Sequence, residues 1–260
     1  MFHLSVCAET LFRELPLAQR AKEIARAGFL VEFWAWKDRG LEAIAADPEI
    51  HISAFPGYNG GSIVHPDGVP AFLDGVKKSL AFAEKVGCRQ LFISTGEISY
   101  EGKIVHPIAA HPATRWITAY KALCQVAELA EKYGVVYNLE QLNTKVDHAG
   151  YPLRHAEDVV RLIDEVGSPR IKLLLDIYHV QIEEGNVIQV IRDCKDYLGY
   201  VHVADVPGRH EPGTGEINFP RVAQALREVG YEGTVGLEAF PERDAHRAMA
   251  RFREVFANVS

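Results

Sequence analysis

Short apolar runs alternate with longer stretches of helical periodicity along the whole chain. The runs lie at 3–7, 29–34, 50–54, 90–94, 135–140, 171–176, 200–204 and 234–238, and each predicts a β-strand. Between them, 69–86, 113–133, 156–166 and 220–229 carry apolar residues at spacings of three and four, as amphipathic helices do. In 113–133 the apolar set is Ile117, Tyr120, Cys124, Ala127, Leu129 and Ala130, which predicts that this face meets the core. Gly28, Gly87, Gly134, Gly167, Gly199 and Gly230 each stand just before a strand, where a helix end calls for a left-handed residue. Pro70 and Pro220 sit near helix starts, where a missing N–H costs nothing. Two connections stand out. The segment 56–68 reads as flexible and polar, and 95–112, with two glycines, two prolines and two histidines, reads as a lid or binding loop.

Eight β/α units in 260 residues, with strands apolar enough to be covered on both faces, predict one (β/α)8 barrel domain spanning 1–260. A doubly wound open sheet is the alternative, but no GxGxxG turn follows the first strand. The composition, 48% hydrophobic and 24% charged, is that of a globular protein able to build a large core. A net charge of −7 without any Lys/Arg run argues against a nucleic-acid partner. Cys7, Cys88, Cys124 and Cys194 are scattered, which suits small buried hydrophobes in a reducing compartment. Glu9 and Arg13 come too early for a signal-peptide core, and no apolar run is long enough to span a membrane, so a cytoplasmic protein is expected. A homo-oligomer remains open.

The chemistry concentrates at strand ends in the second half. Glu140, Asp176, His202 and Glu238 are lone polar groups in the apolar runs YNLEQ, LLLDI, YVHVA and GLEAF. In a barrel these ends form the mouth where active sites are built. A buried carboxylate is costly unless it is paired, hydrogen-bonded or metal-bound. Singly, a strand-end carboxylate often caps the next helix, and a strand histidine is often a satisfied core residue. Four on four consecutive strands point instead to a divalent metal, and three oxygen donors with one nitrogen suit Mn²⁺, Mg²⁺, Co²⁺ or Zn²⁺ alike.

The stretch HVADVPGRHEPGTGEINF after His202 resembles the signature of the hydroxypyruvate isomerase family, within the xylose-isomerase-like TIM barrels. LSVCAETLF, AGFLVEFW, YNLEQLN, LLLDIYHVQ and GLEAF extend the resemblance over nearly the whole chain. It implies that Glu140, Asp176, His202 and Glu238 bind the metal, that Glu140 and Glu238 act as acid and base, and that His179 contacts a substrate oxygen. One position departs: the hydroxypyruvate isomerase branch usually has glutamine where this chain has His202, whereas the ketose 3-epimerase branch has histidine.

The function expected is therefore a metal-dependent aldose–ketose isomerase interconverting hydroxypyruvate and tartronate semialdehyde through a cis-enediolate, the metal stabilising charge on the substrate oxygens. A ketose 3-epimerase, or another isomerase of a sugar-like keto compound, is the alternative. An endonuclease IV-like enzyme would need more histidine ligands and a basic rim; a non-catalytic sugar-binding barrel would not need both glutamates. Arg209 is expected either to clamp a substrate carboxylate or to pair within its loop with Glu211 or Glu216. Gly213-Thr214-Gly215 reads as a structural turn rather than a phosphate loop, and the segment from Asp205 to Glu216 as a specificity surface. Trp34, Phe12 and Tyr58 are candidates for a pocket wall, and Glu32 receives no role.

Overall fold

Strands β1 (His3–Cys7), β2 (Leu30–Glu32), β3 (Ile52–Pro56), β4 (Gln90–Ile93), β5 (Val136–Glu140), β6 (Ile171–Asp176), β7 (Leu198–Val203) and β8 (Thr234–Leu237) pair in parallel, in chain order, and close on themselves. Closure comes from β8 returning to β1, with Leu4 opposite Val235 and Val6 opposite Leu237. The computed structural model describes residues 1–257 apart from 106 and 108, so one histidine of the 95–112 loop, His106, lies outside the described residues. Helices α1 (Leu17–Arg26), α2 (Leu41–Ala45), α3 (Val69–Val86), α4 (Pro112–Tyr133), α5 (Ala156–Val166), α6 (Ile177–Glu183), α7 (Val187–Asp193), α8 (Phe219–Glu228) and α9 (Ala245–Phe256) jacket the strands. The result is a (β/α)8 barrel, as the alternation predicts.

Period two along each strand sorts its side chains. Leu139, Leu173, Leu175, Val201, Val203 and Val235 join the core beneath the helices. Inside the barrel, Ala54, Phe92, Leu174 and Tyr200 form a small separate cluster. Phe92 meets Tyr200 edge-on with ring centroids 4.9 Å apart. One step further along the same inner faces, Leu174 gives way to Asp176 and Tyr200 to His202. The apolar cluster is thus the floor on which the polar mouth stands.

Several expectations need correction. The third strand begins two residues later than its apolar run, because the Ile50 N–H donates to the Asp47 carbonyl at 3.0 Å and closes a turn. Gly87 and Gly134 are left-handed helix caps, but Gly199 is not. It lies within β7, where a side-chain carbon would come 2.1 Å from Asn138 Oδ1. Its smallness serves a close approach between strands. In α4 the face turned to the core is Ala119, Ala122, Leu123, Val126, Ala127 and Ala130. Ile117, 53% exposed, and Tyr120, 36% exposed, face outward. Small residues win the buried face because they let the helix approach its neighbours closely. The 56–68 segment also folds inward: Ser62, Ile63 and Val64 are buried, and Ser62 Oγ donates to the Thr95 carbonyl at 2.8 Å.

Candidate active site

Each strand of the second half delivers one side chain to the mouth. Glu140 is the last residue of β5 and Asp176 the last of β6; His202 is the fifth residue of β7, and Glu238 follows β8. Asp176 stands opposite His202 in the ladder, and His202 opposite Gly236. One ligand atom from each of Glu140, Asp176, His202 and Glu238 lies within 4.8 Å of all the others, the geometry of a cluster that could hold a metal ion. His202 Nδ1 lies 3.6 Å from Glu140 Oε1 and 3.7 Å from Glu238 Oε2, yet it is buried and makes no hydrogen bond. A buried imidazole nitrogen without a partner, facing two carboxylates, is what a coordinated cation would satisfy. The donor set fits a divalent metal.

Arg209 reaches the same place. Its Nη2 donates to Glu238 Oε2 and lies 3.4 Å from Asp176 Oδ2, and its guanidinium stacks on the Tyr178 ring with the carbon 4.9 Å from the centroid. It pairs with neither Glu211 nor Glu216. Glu211 is instead buried, accepting the Glu242 N–H at 2.9 Å, and Glu216 accepts from Gln181. Among the described residues Arg209 Nη1 has no protein acceptor, so donors remain for a ligand. Gly213-Thr214-Gly215 is a structural turn: the Asp205 carboxylate accepts the N–H groups of Gly213, Gly215 and Ile217 at 2.9–3.0 Å. Between Asp205 and Glu216 most of the loop is thus tied to itself, and Arg209 is what it sends into the mouth.

The carboxyls are not equivalent. Burial pushes Glu140 up to about 7, partly opposed by its contact with His202. Burial likewise raises Asp176 to about 6 against the pull of Arg209. Glu238 is as deeply placed, but Arg209, His202 and the Trp34 indole N–H together outweigh burial and hold it below the usual range. Burial alone would lower His202, and Glu32, Glu238 and Glu140 reverse that, holding it well above its ordinary value. His179 goes the other way, kept neutral by burial and by Arg209.

His179 has a defined tautomer. Asn143 Oδ1 accepts the N–H groups of Val146 and Asp147, which turns the Asn143 amide Nδ2 toward His179 Nδ1 at 2.7 Å. The Asn143 backbone N–H, which can only donate, also points at Nδ1 from 3.3 Å. Nδ1 is therefore the acceptor, and the proton sits on Nε2, 3.4 Å from Asp176 Oδ2.

Glu32, to which the sequence gives no role, and Trp34, a candidate for the pocket wall, complete the site. Glu32 Oε1 lies 3.1 Å from His202 Nε2, and Trp34 Nε1 donates to Glu238 Oε1. They stand two apart on β2 and its extension, and this shared face is the one sequence signal that could have linked them. Trp34 also meets Tyr100, from the 95–112 loop, edge-on at 5.8 Å. Tyr58 is bonded to Ser94 and to the Gly96 carbonyl, while Phe12 packs edge-on against His246.

The family described as xylose isomerase-like TIM barrel matches residues 20–255. A hydroxypyruvate isomerase of Escherichia coli is 27% identical over 256 residues, 93% of this chain and 95% of that one. A D-psicose 3-epimerase of Enterocloster bolteae is 35% identical over 122 residues, 47% of this chain and 39% of its own. The crystal structure of an AP endonuclease, family 2, from Brucella melitensis superimposes with a TM-score of 0.89 at 27% identity, covering 98% of this chain and 99% of that one. No helix among the described residues is long and apolar enough to cross a membrane.

Proposed function

The chain belongs to the xylose isomerase-like TIM barrel family and is an isomerase; on that premise we propose a metal-dependent aldose–ketose isomerase. Its reaction in this reading interconverts hydroxypyruvate and tartronate semialdehyde (2-hydroxy-3-oxopropanoate). Glu140, Asp176, His202 and Glu238 would hold the ion. When bound, a divalent cation there supplies Lewis-acid stabilisation of charge developing on the substrate oxygens.

The remaining work falls to side chains. Glu238, held ionised by its neighbours, takes a proton from the hydroxymethyl carbon, C3, of hydroxypyruvate. The C–H electron pair becomes the C3–C2 double bond, and the carbonyl pair moves onto O2, giving a cis-enediolate. Glu140 carries a proton taken up from solvent and returns it to C2. The proton on O3 passes to O2 as C3 becomes the aldehyde carbon, and solvent resets the two carboxyls. His179 offers its Nε2–H to a substrate oxygen, and Arg209 holds the substrate carboxylate.

The observation that carries this reading is Arg209: a half-buried guanidinium with unused donors, fixed beside the carboxylate cluster, suits a keto acid better than an uncharged sugar. The test is to incubate metal-loaded protein in deuterated water with hydroxypyruvate and, separately, with free ketoses. Hydroxypyruvate should be consumed with deuterium appearing on carbon. Epimerised ketose with untouched hydroxypyruvate would overturn the proposal. His202 in the ligand set and the likeness to a D-psicose 3-epimerase favour that outcome as the second reading. A net charge of −7 and a single imidazole in the ligand cluster suit the duplex substrate of an AP endonuclease poorly.

A further inference from the structure

Glu32 is a buried carboxylate to which the chemistry above gives no task. It sits across the barrel from β7, on the side of the His202 ring that faces away from Glu140 and Glu238. We infer that Glu32 is a positioning residue, which holds His202 through Nε2 so that Nδ1 presents its lone pair to the carboxylate cluster. The inference rests on the metal reading of that cluster.

Three observations converge on it. First, Glu32 is itself held. The Tyr200 hydroxyl donates to Glu32 Oε2 at 2.5 Å and lies 3.1 Å from Ser53 Oγ; Ser53 is anchored on the Val31 carbonyl and bonded to Ser5 Oγ at 2.6 Å. This network of neutral hydroxyls leaves Oε1 directed at His202. Second, the fold keeps a passage open for the contact. A side-chain carbon at Gly236 would lie 2.5 Å from Glu32 Oε2 and 2.9 Å from the His202 ring, so only glycine on β8 lets the two meet. Third, the ring has little room to turn. Phe92 and Tyr200 meet it edge-on with centroids 5.1 and 5.3 Å away.

The Nε2 to Oε1 approach of 3.1 Å is too bent to count as a hydrogen bond, and both atoms otherwise lack partners. Glu32 does not join the ligand set, because it lies on the far nitrogen of the ring. A histidine ligand whose other ring nitrogen donates to a carboxylate has a fixed tautomer and orientation, and removing that carboxylate weakens metal binding about ten- to a hundredfold.

The experiment titrates the full-length protein and its variants with Mn²⁺ by calorimetry. It also records the hyperfine-shifted, exchangeable imidazole N–H signal of the Co²⁺-loaded forms. Glu32→Leu should weaken Mn²⁺ about tenfold or more and lose the slowly exchanging N–H signal. Glu32→Gln keeps an acceptor for Nε2–H and should return affinity to within about threefold of wild type. Tyr200→Phe releases Glu32 without touching His202 and should weaken binding by about threefold, which decides the matter should Glu32→Leu fail to fold. Folded Glu32→Leu or Tyr200→Phe protein with wild-type affinity and a protected N–H signal overturns the inference. A wild-type protein that binds neither ion fails differently, and takes the metal reading down with it.

Discussion

The two halves of the barrel supply the mouth with different things. Strands β5 to β8 send in Glu140, Asp176, His202 and Glu238, whose ligand atoms converge. From the first half, β2 and its extension send in two side chains that each meet one member of that set: Glu32 at His202 and Trp34 at Glu238. In the proposed reaction the second half holds the reacting groups, and β2 with its extension braces two of them. That division also separates two costs. A buried carboxylate cluster costs several kcal/mol unless its charges are balanced, and Arg209 from the β7 loop contributes to that balance. Orientation comes in part from β2 and its extension, where Trp34 gives Glu238 a hydrogen bond worth about 1 kcal/mol.

Glu140→Gln or Glu238→Gln should test the division most severely. Turnover should fall about a thousandfold or more, with circular dichroism unchanged, because a proton-transfer group is lost from the second half. Near-normal turnover in either variant would dissolve the contrast. In the first half, Glu9 follows β1 and is buried, with its carboxyl raised by burial from the ordinary 4.5 to about 7. Because its folded value lies above the unfolded one, its contribution to stability is complete below pH 4.5 and lost as pH rises through about 7. Glu9→Gln should therefore melt increasingly above wild type between pH 5 and 8, by an amount approaching about 3 kcal/mol. A gap that is flat with pH would refute it.

Metal affinity sharpens the contrast from the other side. Glu140 and Asp176, raised to about 7 and about 6, must release protons to bind a cation. Mn²⁺ affinity should thus climb by about tenfold or more per pH unit from 5.5 to 7, and go on climbing above 7 while His202, held above its ordinary value, still gives up a proton; a flat profile would remove these groups from the ligand set. The smallest effect belongs to Trp34→Phe, which removes one donor from Glu238 and keeps an aromatic ring. A fall in kcat/KM of about fivefold is expected, with Mn²⁺ affinity nearly unchanged, as for one lost hydrogen bond. A hundredfold fall would place Trp34 in the chemistry itself.

The second half is legible in the sequence because its signal is local. A single charge in YNLEQ or LLLDI conflicts with its own neighbours, and the conflict marks it without knowledge of any partner. Trp34 and Glu32 lie in the same kind of run, but an indole beside phenylalanines conflicts with nothing. One glutamate in VEFW does conflict, and nothing nearby in the sequence says what resolves it. The outward turn of Ile117 and Tyr120 was hidden for a related reason. Apolar spacing marks a helical face, but the competing alanine face wins by fitting closely against its neighbours.

The sequence alone carried the eight β/α repeats, the bounds of the four helices at 69–86, 113–133, 156–166 and 220–229 to within a residue, and the four residues that converge, since each is marked by its neighbours within a few positions along the chain. Tertiary structure alone decided what those four residues meet. Glu32 and Tyr200 are 168 positions apart, and Trp34 and Glu238 are 204. Only closure of β8 onto β1, with the twist and register that follow, brings such pairs within a hydrogen bond's length. The direction of Arg209 was open for the same reason: its loop offers two nearby glutamates, and the barrel offers two better-placed carboxylates.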